Sequence, residues 1–221
     1  MYRLAKAHFK RVDPRLHAAS LEHDIADLKA SDDLFRDIVW TIIGQQLSGK
    51  AADTIFARFE KLLRPANPRS KKLMTPQRVL ALTEPQMRSA GLSGAKARAV
   101  KSLAEHVLSG DLSLEALPAL PDEQVLAELT RVKGIGPWTA EMVLMFSLGR
   151  ADVFSPGDLG LRKGIMYLYG LKRMPSERMM RKVTVAWKPY RTYASRVLWR
   201  IADAARTTPR IGRKRPGNKK S

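Results

Sequence analysis

One stretch of the sequence constrains the fold more than any other: residues 129–144, LTRVKGIGPWTAEMVL. A helical pattern ends there in a Gly-x-Gly turn, and Pro137, whose fixed φ suits the first turn of a helix, begins a second helical pattern. Gly134 and Gly136 can adopt backbone angles that other residues avoid, and they let the chain approach a ligand closely. The stretch therefore predicts a helix-hairpin-helix.

Such a hairpin offers a site for an anion. The N–H groups in the first turn of a helix have no acceptor inside the helix, so a phosphate fits against them. Lys133 and Thr139 flank the turn. We expect them to contact neighbouring phosphates together with Gly134 and Gly136, which would fix the register without reading base sequence. An ordinary tight turn between two helices is the alternative.

The rest of the chain also favours helices. Apolar residues recur every three or four positions, and alternating segments of strand length are scarce. The prediction is an all-α fold of roughly ten helices. Capping residues and prolines predict helix starts near Ser31, Ser48, Thr75, Pro121, Pro137, Pro175 and Pro189.

The charge balance favours a polyanionic partner. The chain has 40 Lys and Arg against 21 Asp and Glu, a net charge of +19. Charge alone leaves DNA, RNA and an anionic membrane surface open. Residues 206–221, RTTPRIGRKRPGNKKS, contain seven basic and no acidic residues, so we predict a disordered basic tail there.

Composition also excludes several kinds of site. The chain has no cysteine, which excludes disulfides, thiolate zinc sites and cysteine-held iron-sulfur clusters, and its four histidines show no metal-ligand spacing. No run approaches the roughly 18 to 20 apolar residues that span a bilayer, and the N-terminus lacks a signal-peptide pattern. We therefore expect no membrane partner, and a location in the cytoplasm with the nucleoid in a bacterium or in the nucleus of a eukaryote.

Four ordered motifs carry a resemblance to a known family. They are IIGQQLSGKAA at 42–52, VKGIGPWTAEMVL at 132–144, DVFSPGDLGLRKG at 152–164 and WKPYRTYASRVLW at 187–199. Through them the sequence resembles the helix-hairpin-helix DNA glycosylases, and within these the alkylation-repair branch of the 3-methyladenine DNA glycosylase II type. The resemblance covers most of residues 30–205.

The resemblance implies an architecture and a partner. It implies two interleaved helical subdomains within residues 1–205, one formed by the N-terminal and C-terminal helices and the other by about 45–155, with the active-site cleft between them. It also implies a monomer that removes alkylated bases from double-stranded DNA. The abasic site would pass to downstream enzymes of base excision repair.

The resemblance assigns catalysis to Asp158, which lies at the family's spacing of 20 residues after Trp138. An ionised carboxylate there would stabilise the oxocarbenium-like sugar or orient the attacking water. A helix N-cap is the alternative for Asp158, and both roles are compatible. Asp152, the nearest competitor, lies off the spacing. Related glycosylase/lyases have a lysine where this chain has Trp138, which implies a monofunctional enzyme.

The resemblance also places the base pocket. Trp138 and Trp199 are its predicted aromatic walls, with Met142 beside them, and a cationic base would gain from stacking on them. Core packing is the commoner role of a lone tryptophan. We interpret Trp40 and Trp187 mainly as core residues, and keep Trp40 as a pocket candidate because it lies near the 42–52 motif.

Two further assignments follow from the resemblance. Gln46, with Gln45 beside it, occupies the position of the wedge that enters the minor groove, where many relatives of the alkylation branch have an apolar residue; an exposed polar helix end is the alternative. The backbone carbonyls of Thr130, Val132 and Ile135 match the family's site for a structural sodium or potassium ion. We expect neither a redox cofactor nor a catalytic metal.

Two other functions remain open from the sequence. A catalytically silent protein could use the hairpin to dock on distorted DNA, and it would share the salt-dependent affinity. A glycosylase for oxidised or mismatched bases is the rival within enzymes, for which a more polar base pocket is expected.

Overall fold

The computed structural model describes residues 1–64 and 73–207, and every regular element in those two ranges is helical, which confirms the all-α prediction. Their α-helices are α1 (Tyr2–Val12), α2 (Pro14–Leu21), α3 (Leu34–Gly44), α4 (Gly49–Leu62), α5 (Pro76–Ala81), α6 (Glu84–Ser89), α7 (Gly94–Ser109), α8 (Asp122–Thr130), α9 (Pro137–Met142), α10 (Leu159–Tyr169), α11 (Glu177–Thr184) and α12 (Arg191–Thr207). Short 3-10 turns lie at Leu117–Ala119 and Val185–Trp187, and a π-helical turn, Val143–Ser147, follows α9.

Most of the predicted helix starts are confirmed. Thr75 and Ser176 each accept a backbone N–H from the third residue after them, as N-caps do. α4 and α8 begin directly after Ser48 and Pro121, and α9 begins at Pro137. Side-chain capping thus accounts for the starts of α5 and α11, and proline at the first position accounts for that of α9.

The start of α3 differs from the prediction at Ser31. The N-cap is Asp33, whose side chain accepts the N–H of Arg36 at 3.2 Å, and the helix begins at Leu34. The N–H of Ser31 donates instead to the carbonyl of Ser147 at 2.8 Å. Ser31, Asp32 and Asp33 are consecutive residues of types that cap helices, and the last of them is the cap in the structure.

The chain divides into two compact units. Unit 1 comprises Met1–Ala26 and Pro156–Ser221, and unit 2 comprises Asp27–Ser155. The sequence analysis placed the start of the second subdomain near residue 45. Of the predicted basic tail, Arg206 and Thr207 belong to α12, and residues 208–221 lie outside the described residues.

A buried carboxylate organises unit 1. Asp13, 8% exposed, caps α2 by accepting the N–H of Leu16 at 3.0 Å, and its second oxygen accepts the indole N–H of Trp187 at 2.9 Å and the hydroxyl of Tyr169. Burial, and then the hydrogen bond to Asp13, raise the pKa of Tyr169. Trp187 is fully buried, which confirms its core assignment.

α10 and α12 pack closely in unit 1. A Cβ on Gly164 of α10 would lie 2.5 Å from the carbonyl oxygen of Leu198 on α12, so any larger residue would push the helices apart. This close approach determines how the start of α10 lies against α12.

Unit 2 is built around α3, which packs against α4, α7 and α9. Its buried apolar side chains are Phe35, Ile38, Val39, Ile42 and Ile43. Because the helix is buried along most of its length, packing fixes the place where it ends and the segment 45–48 begins. Within the two described ranges, no helix is long and apolar enough to cross a membrane.

Candidate active site

The predicted hairpin connects α8 to α9 in unit 2. α8 ends at Thr130, and α9 begins at Pro137 after Gly136, its extended N-cap. Gly134 has a φ of +92°, and a Cβ there would lie 2.4 Å from the Cβ of Ala99 on α7. Both the backbone angle and this contact require glycine at position 134.

Gly136 differs from Gly134 in that the surrounding protein leaves space beside it. Among the described residues, no heavy atom lies within 4 Å of a Cβ built on Gly136, so internal packing does not require glycine there. Lys133 is exposed on the same turn. The first N–H groups of a helix have no acceptor within it. The turn therefore combines open backbone with a nearby cation, which suits a phosphate.

Thr139, one of the predicted phosphate contacts, is buried and hydrogen-bonded within the protein. Thr139 is 2% exposed, and its hydroxyl accepts a hydrogen bond from the side-chain amide of Gln45 at 2.9 Å. The same amide donates to the carbonyl of Gly134 at 3.1 Å. These bonds connect the segment after α3 to the hairpin.

Gln46, the predicted wedge, is exposed and adopts a left-handed conformation with a φ of +58°. Leu47 is 39% exposed beside it. The sequence analysis did not single out Leu47, although an apolar side chain is a common wedge between base steps. The exposed turn thus presents one polar and one apolar side chain.

Asp158 caps α10 in unit 1, which confirms its N-cap assignment. Its Oδ1 accepts the N–H of Leu161 at 2.8 Å and the indole N–H of Trp199 at 2.9 Å. The carboxylate therefore lies at the positive end of the α10 dipole with two donors on one oxygen. That arrangement holds the carboxylate in a defined orientation.

The contact between Asp158 and Trp199 depends on Gly160. A Cβ at that position would lie 2.7 Å from Cδ1 and 2.9 Å from Nε1 of the Trp199 indole, and 3.1 Å from Oδ1 of Asp158. The missing side chain leaves the space that the indole occupies. Gly160 was not recognised from the sequence, since nothing local indicates which residue fills that space.

Trp138 and Met142 belong to α9 in unit 2. Trp138 is partly buried, and Met142 is 6% exposed. Their assignment to a base pocket stays a prediction from the resemblance.

Trp40 is not a core residue, and that interpretation was wrong. It is 38% exposed, and its indole N–H donates to Asp53 at 3.1 Å. It lines a cavity of about 370 Å³ on unit 2 with Phe56 and Phe146, and with the carboxylate of Asp37. Its assignment as a pocket residue stays a prediction.

The sequence analysis also missed a second carboxylate near the hairpin. Glu141 lies on α9 between Trp138 and Met142, and its Oε2 accepts a hydrogen bond from the hydroxyl of the fully buried Ser155 at 2.5 Å. This bond joins the carboxylate on α9 to the segment that follows the π-helical turn. The only signal for it was the spacing of three residues from Trp138.

The three carbonyls assigned to a cation lie where helical partners are missing. Thr130 ends α8, and Val132 and Ile135 lie in the turn after it. The carbonyl of Val132 accepts the N–H of Ile135 at 3.0 Å and keeps a second lone pair. Neutral oxygens of this type fit a hard monovalent cation. In the described part of the chain, no group of three or more His, Asp or Glu side chains is placed to hold a metal ion.

Comparisons with known proteins agree with this geometry. The family pattern described as "HhH-GPD superfamily base excision DNA repair protein" matches residues 39–189. DNA-3-methyladenine glycosylase 1 of Schizosaccharomyces pombe is 34% identical over 172 residues, which are 77% of this chain and 73% of that protein. DNA-3-methyladenine glycosylase of Saccharomyces cerevisiae is 33% identical over 201 residues, with 78% and 68% covered.

A solved structure gives the same result for the fold. The 3-methyladenine DNA glycosylase of Schizosaccharomyces pombe in complex with abasic DNA superimposes with a TM-score of 0.80 and 31% sequence identity. The match covers 92% of this chain and 98% of that one.

Proposed function

The chain belongs to the HhH-GPD superfamily of base excision DNA repair proteins, and we propose that it is a monofunctional glycosylase releasing alkylated bases of the 3-methyladenine type from duplex DNA. The relatives named above agree with the function predicted from the sequence. The observation that carries the proposal is the Asp158 carboxylate, held at the start of α10 by the Leu161 N–H and the Trp199 indole.

The chemistry needs one well-placed carboxylate. When the bond between the base and the sugar C1′ breaks, its electrons leave with the base and the sugar becomes oxocarbenium-like. Ionised Asp158 stabilises that charge, water adds to C1′, and the water gives up its proton to the solvent.

The leaving group explains why no general acid is required. An alkylated purine such as 3-methyladenine already carries a positive charge, so it departs as a neutral base without protonation. Because position 138 is tryptophan, the amine that attacks the sugar in related lyases is absent there. The product is then an uncut abasic site, which downstream repair enzymes consume.

Access to the base requires extrusion from the duplex, which costs a few kcal/mol and least for a damaged base. The exposed turn at Gln46 and Leu47 would fill the gap in the stack. The hairpin at Gly134 and Gly136, with Lys133, would hold the backbone phosphates.

We also extend the proposal to the hairpin carbonyls of Thr130, Val132 and Ile135. A sodium or potassium ion bound there would be structural and would stiffen the turn. The protein would act as a monomer without a redox cofactor.

Base release tests the proposal. Duplex DNA treated with a methylating agent is incubated with wild-type protein, Asp158→Asn and Asp152→Asn, and the free bases are resolved by chromatography. Asparagine at position 158 keeps both hydrogen-bond acceptances and the N-cap but removes the charge. Wild type and Asp152→Asn should release 3-methyladenine, and Asp158→Asn should not.

The remaining outcomes are decisive as well. If wild type releases no methylated base, the alkylation function is wrong. If Asp158→Asn releases bases as wild type does, another group carries the chemistry.

A further inference from the structure

Lys96 lies where a lysine is unfavourable for its own helix. It is the third residue of α7, after the N-cap Ser93, and a cation in the first turn opposes the helix dipole. Its side chain is half-buried, and desolvation lowers the pKa of Lys96. An ammonium group in such a place needs compensating partners from another element.

Those partners are at the end of α3. Nζ of Lys96 donates to the carbonyl oxygens of Ile43 and Gln45, each at 2.8 Å. The last carbonyls of a helix lack intrahelical partners and lie at the negative end of its dipole. Lys96 therefore caps α3 from a position 51 residues away from Gln45 in sequence.

The turn that follows holds Gln46 in a conformation that non-glycine residues rarely adopt. Gln46 has a φ of +58°, and the N–H of Leu47 donates to the carbonyl of Gly44 at 3.1 Å. A residue stays in the left-handed region only when its surroundings hold it there.

Gln45, the residue before Gln46, is itself fixed by hydrogen bonds to two other elements. Its carbonyl is fixed by Lys96, and its side-chain amide is fixed by Gly134 and Thr139 of the hairpin. Gln46 therefore follows a residue whose backbone and side chain are both fixed by hydrogen bonds.

We propose that Lys96 is a positioning residue for base extrusion: by holding the Gln45 carbonyl, its ammonium group keeps Gln46 in the presented conformation before DNA binds. This inference rests on the proposed function, in which the exposed turn that carries Gln46 and Leu47 fills the gap left by the extruded base. A wedge held in its working conformation loses less freedom on insertion, so extrusion is faster.

A direct phosphate contact is the competing role for this lysine. Two of the three ammonium donors already point to carbonyls within the protein. A positioning residue leaves the salt dependence of binding unchanged. Loss of a phosphate contact lowers the slope of log K against log salt by about 1.

The test uses full-length Lys96→Met, which keeps the length of the side chain but no donor, and Lys96→Arg, which keeps a cationic donor. Lys101→Met is the matched control, since it makes the same change on α7. Each is made in the Asp158→Asn background, so that extrusion is measured without cleavage. The readout is stopped-flow fluorescence of 2-aminopurine placed beside a methylated adenine in a duplex.

Lys96→Met should slow extrusion by about 10- to 100-fold, as expected when a working group is displaced by an ångström. Its affinity for undamaged duplex and the salt slope should stay within about twofold of the control, because both variants lose one positive charge and neither lysine contacts a phosphate in this proposal. The extrusion rate of Lys96→Arg should be closer to that of the Asp158→Asn parent than to that of Lys96→Met. In a Gln46→Ala background, Lys96→Met should add less than about twofold, because the two changes act through one wedge.

Three results would overturn the inference: unchanged extrusion in Lys96→Met, a reduced salt slope, or effects of Lys96→Met and Gln46→Ala that multiply independently. Circular dichroism melts establish that each variant is folded, and Lys96→Leu, which also has no donor, replaces Lys96→Met if the latter melts below the assay temperature. Failure of base release by wild type would overturn the proposed function alone, since extrusion is read without cleavage.

Discussion

The indole N–H of Trp199 and the backbone N–H of Leu161 meet on the same oxygen of Asp158, at 2.9 and 2.8 Å. One side chain assigned to the base pocket therefore orients the carboxylate assigned to catalysis. The link between Trp199 and Asp158 leads to the first two predictions.

Replacing Trp199 with phenylalanine separates orientation from stacking, because the ring stays and the N–H donor is lost. A hydrogen bond to a charged group contributes about 1.5 to 3 kcal/mol, so base release in single turnover should fall about 10-fold or more. Trp199→Leu removes both the ring and the donor, so its rate of base release should fall further. If Trp199→Phe releases bases as fast as wild type, the hydrogen bond does not orient Asp158 in catalysis.

Gly160→Ala should damage the site more than the fold. The added methyl would lie 2.7 Å from Cδ1 of Trp199 and displace the indole, while alanine favours the helix by about 0.5 to 1 kcal/mol. Base release should fall with little change in the free energy of unfolding measured in urea.

Gly164→Ala on the same helix gives the opposite pattern. Its methyl meets the backbone carbonyl of Leu198 at 2.5 Å, so unfolding should become easier by about 1 to 3 kcal/mol. Gly49→Ala is the control, since no described heavy atom lies within 4 Å of its Cβ. Equal loss of stability in Gly160→Ala and Gly164→Ala would contradict this distinction.

The two hairpin glycines should also respond differently. Gly134→Ala meets Ala99 at 2.4 Å with a φ of +92°, and should destabilise the protein by about 1 to 3 kcal/mol. Gly136→Ala should keep the stability within about 0.5 kcal/mol. Its affinity for undamaged duplex, measured by fluorescence anisotropy, should still fall about 10-fold because the methyl holds a phosphate away from the backbone. Wild-type affinity in Gly136→Ala would place the phosphates elsewhere.

Tyr169 makes stability sensitive to alkaline pH. Its pKa in the folded state is raised, first by burial and then by the bond to Asp13. The stabilising contribution of its hydroxyl is therefore fully present below the unfolded pKa, near 10, and is lost as pH rises above that value. The loss should approach about 1.4 kcal/mol per pH unit.

Urea unfolding between pH 8 and 11 measures this effect. Tyr169→Phe should be less stable than wild type at pH 8 and should lose less stability above pH 10. Tyr167→Phe, an exposed tyrosine on the same helix, should follow the wild-type curve. Tyr2, whose pKa burial also raises, is present in all three proteins, so the difference reports Tyr169. Parallel curves for wild type and Tyr169→Phe would show that the hydroxyl ionises alike in both states.

Features with a local signature could be predicted from the sequence. Two glycines and Pro137 indicate the hairpin. The helical pattern that follows Asp158 indicates that this residue is an N-cap. Thr75 and Ser176 cap their helices for the same local reason. In each case the determining hydrogen bonds join residues within a few positions of each other.

Features that depend on distant contacts could not be predicted. Lys96 bonds to carbonyls 51 and 53 residues away, and Thr139 is engaged by Gln45 from a distance of 94 residues. Trp40 was interpreted as core because core packing is the commoner role of a lone tryptophan, but its side chain is exposed and its indole N–H donates to Asp53. Which helix faces contact each other depends on tertiary packing, and the sequence of a single helix does not indicate it.

The bond between Asp13 and Trp187 has a consequence for the order in which the protein is made. On the ribosome, unit 2 is complete once Ser155 has emerged, and it can fold as a contiguous stretch while synthesis continues. Asp13 is synthesised early, and its carboxylate can accept the indole N–H of Trp187 only after residue 187 has emerged. Because the two partners of this bond lie at opposite ends of the chain, the contacts of unit 1 form only after the contiguous stretch of unit 2 has been synthesised.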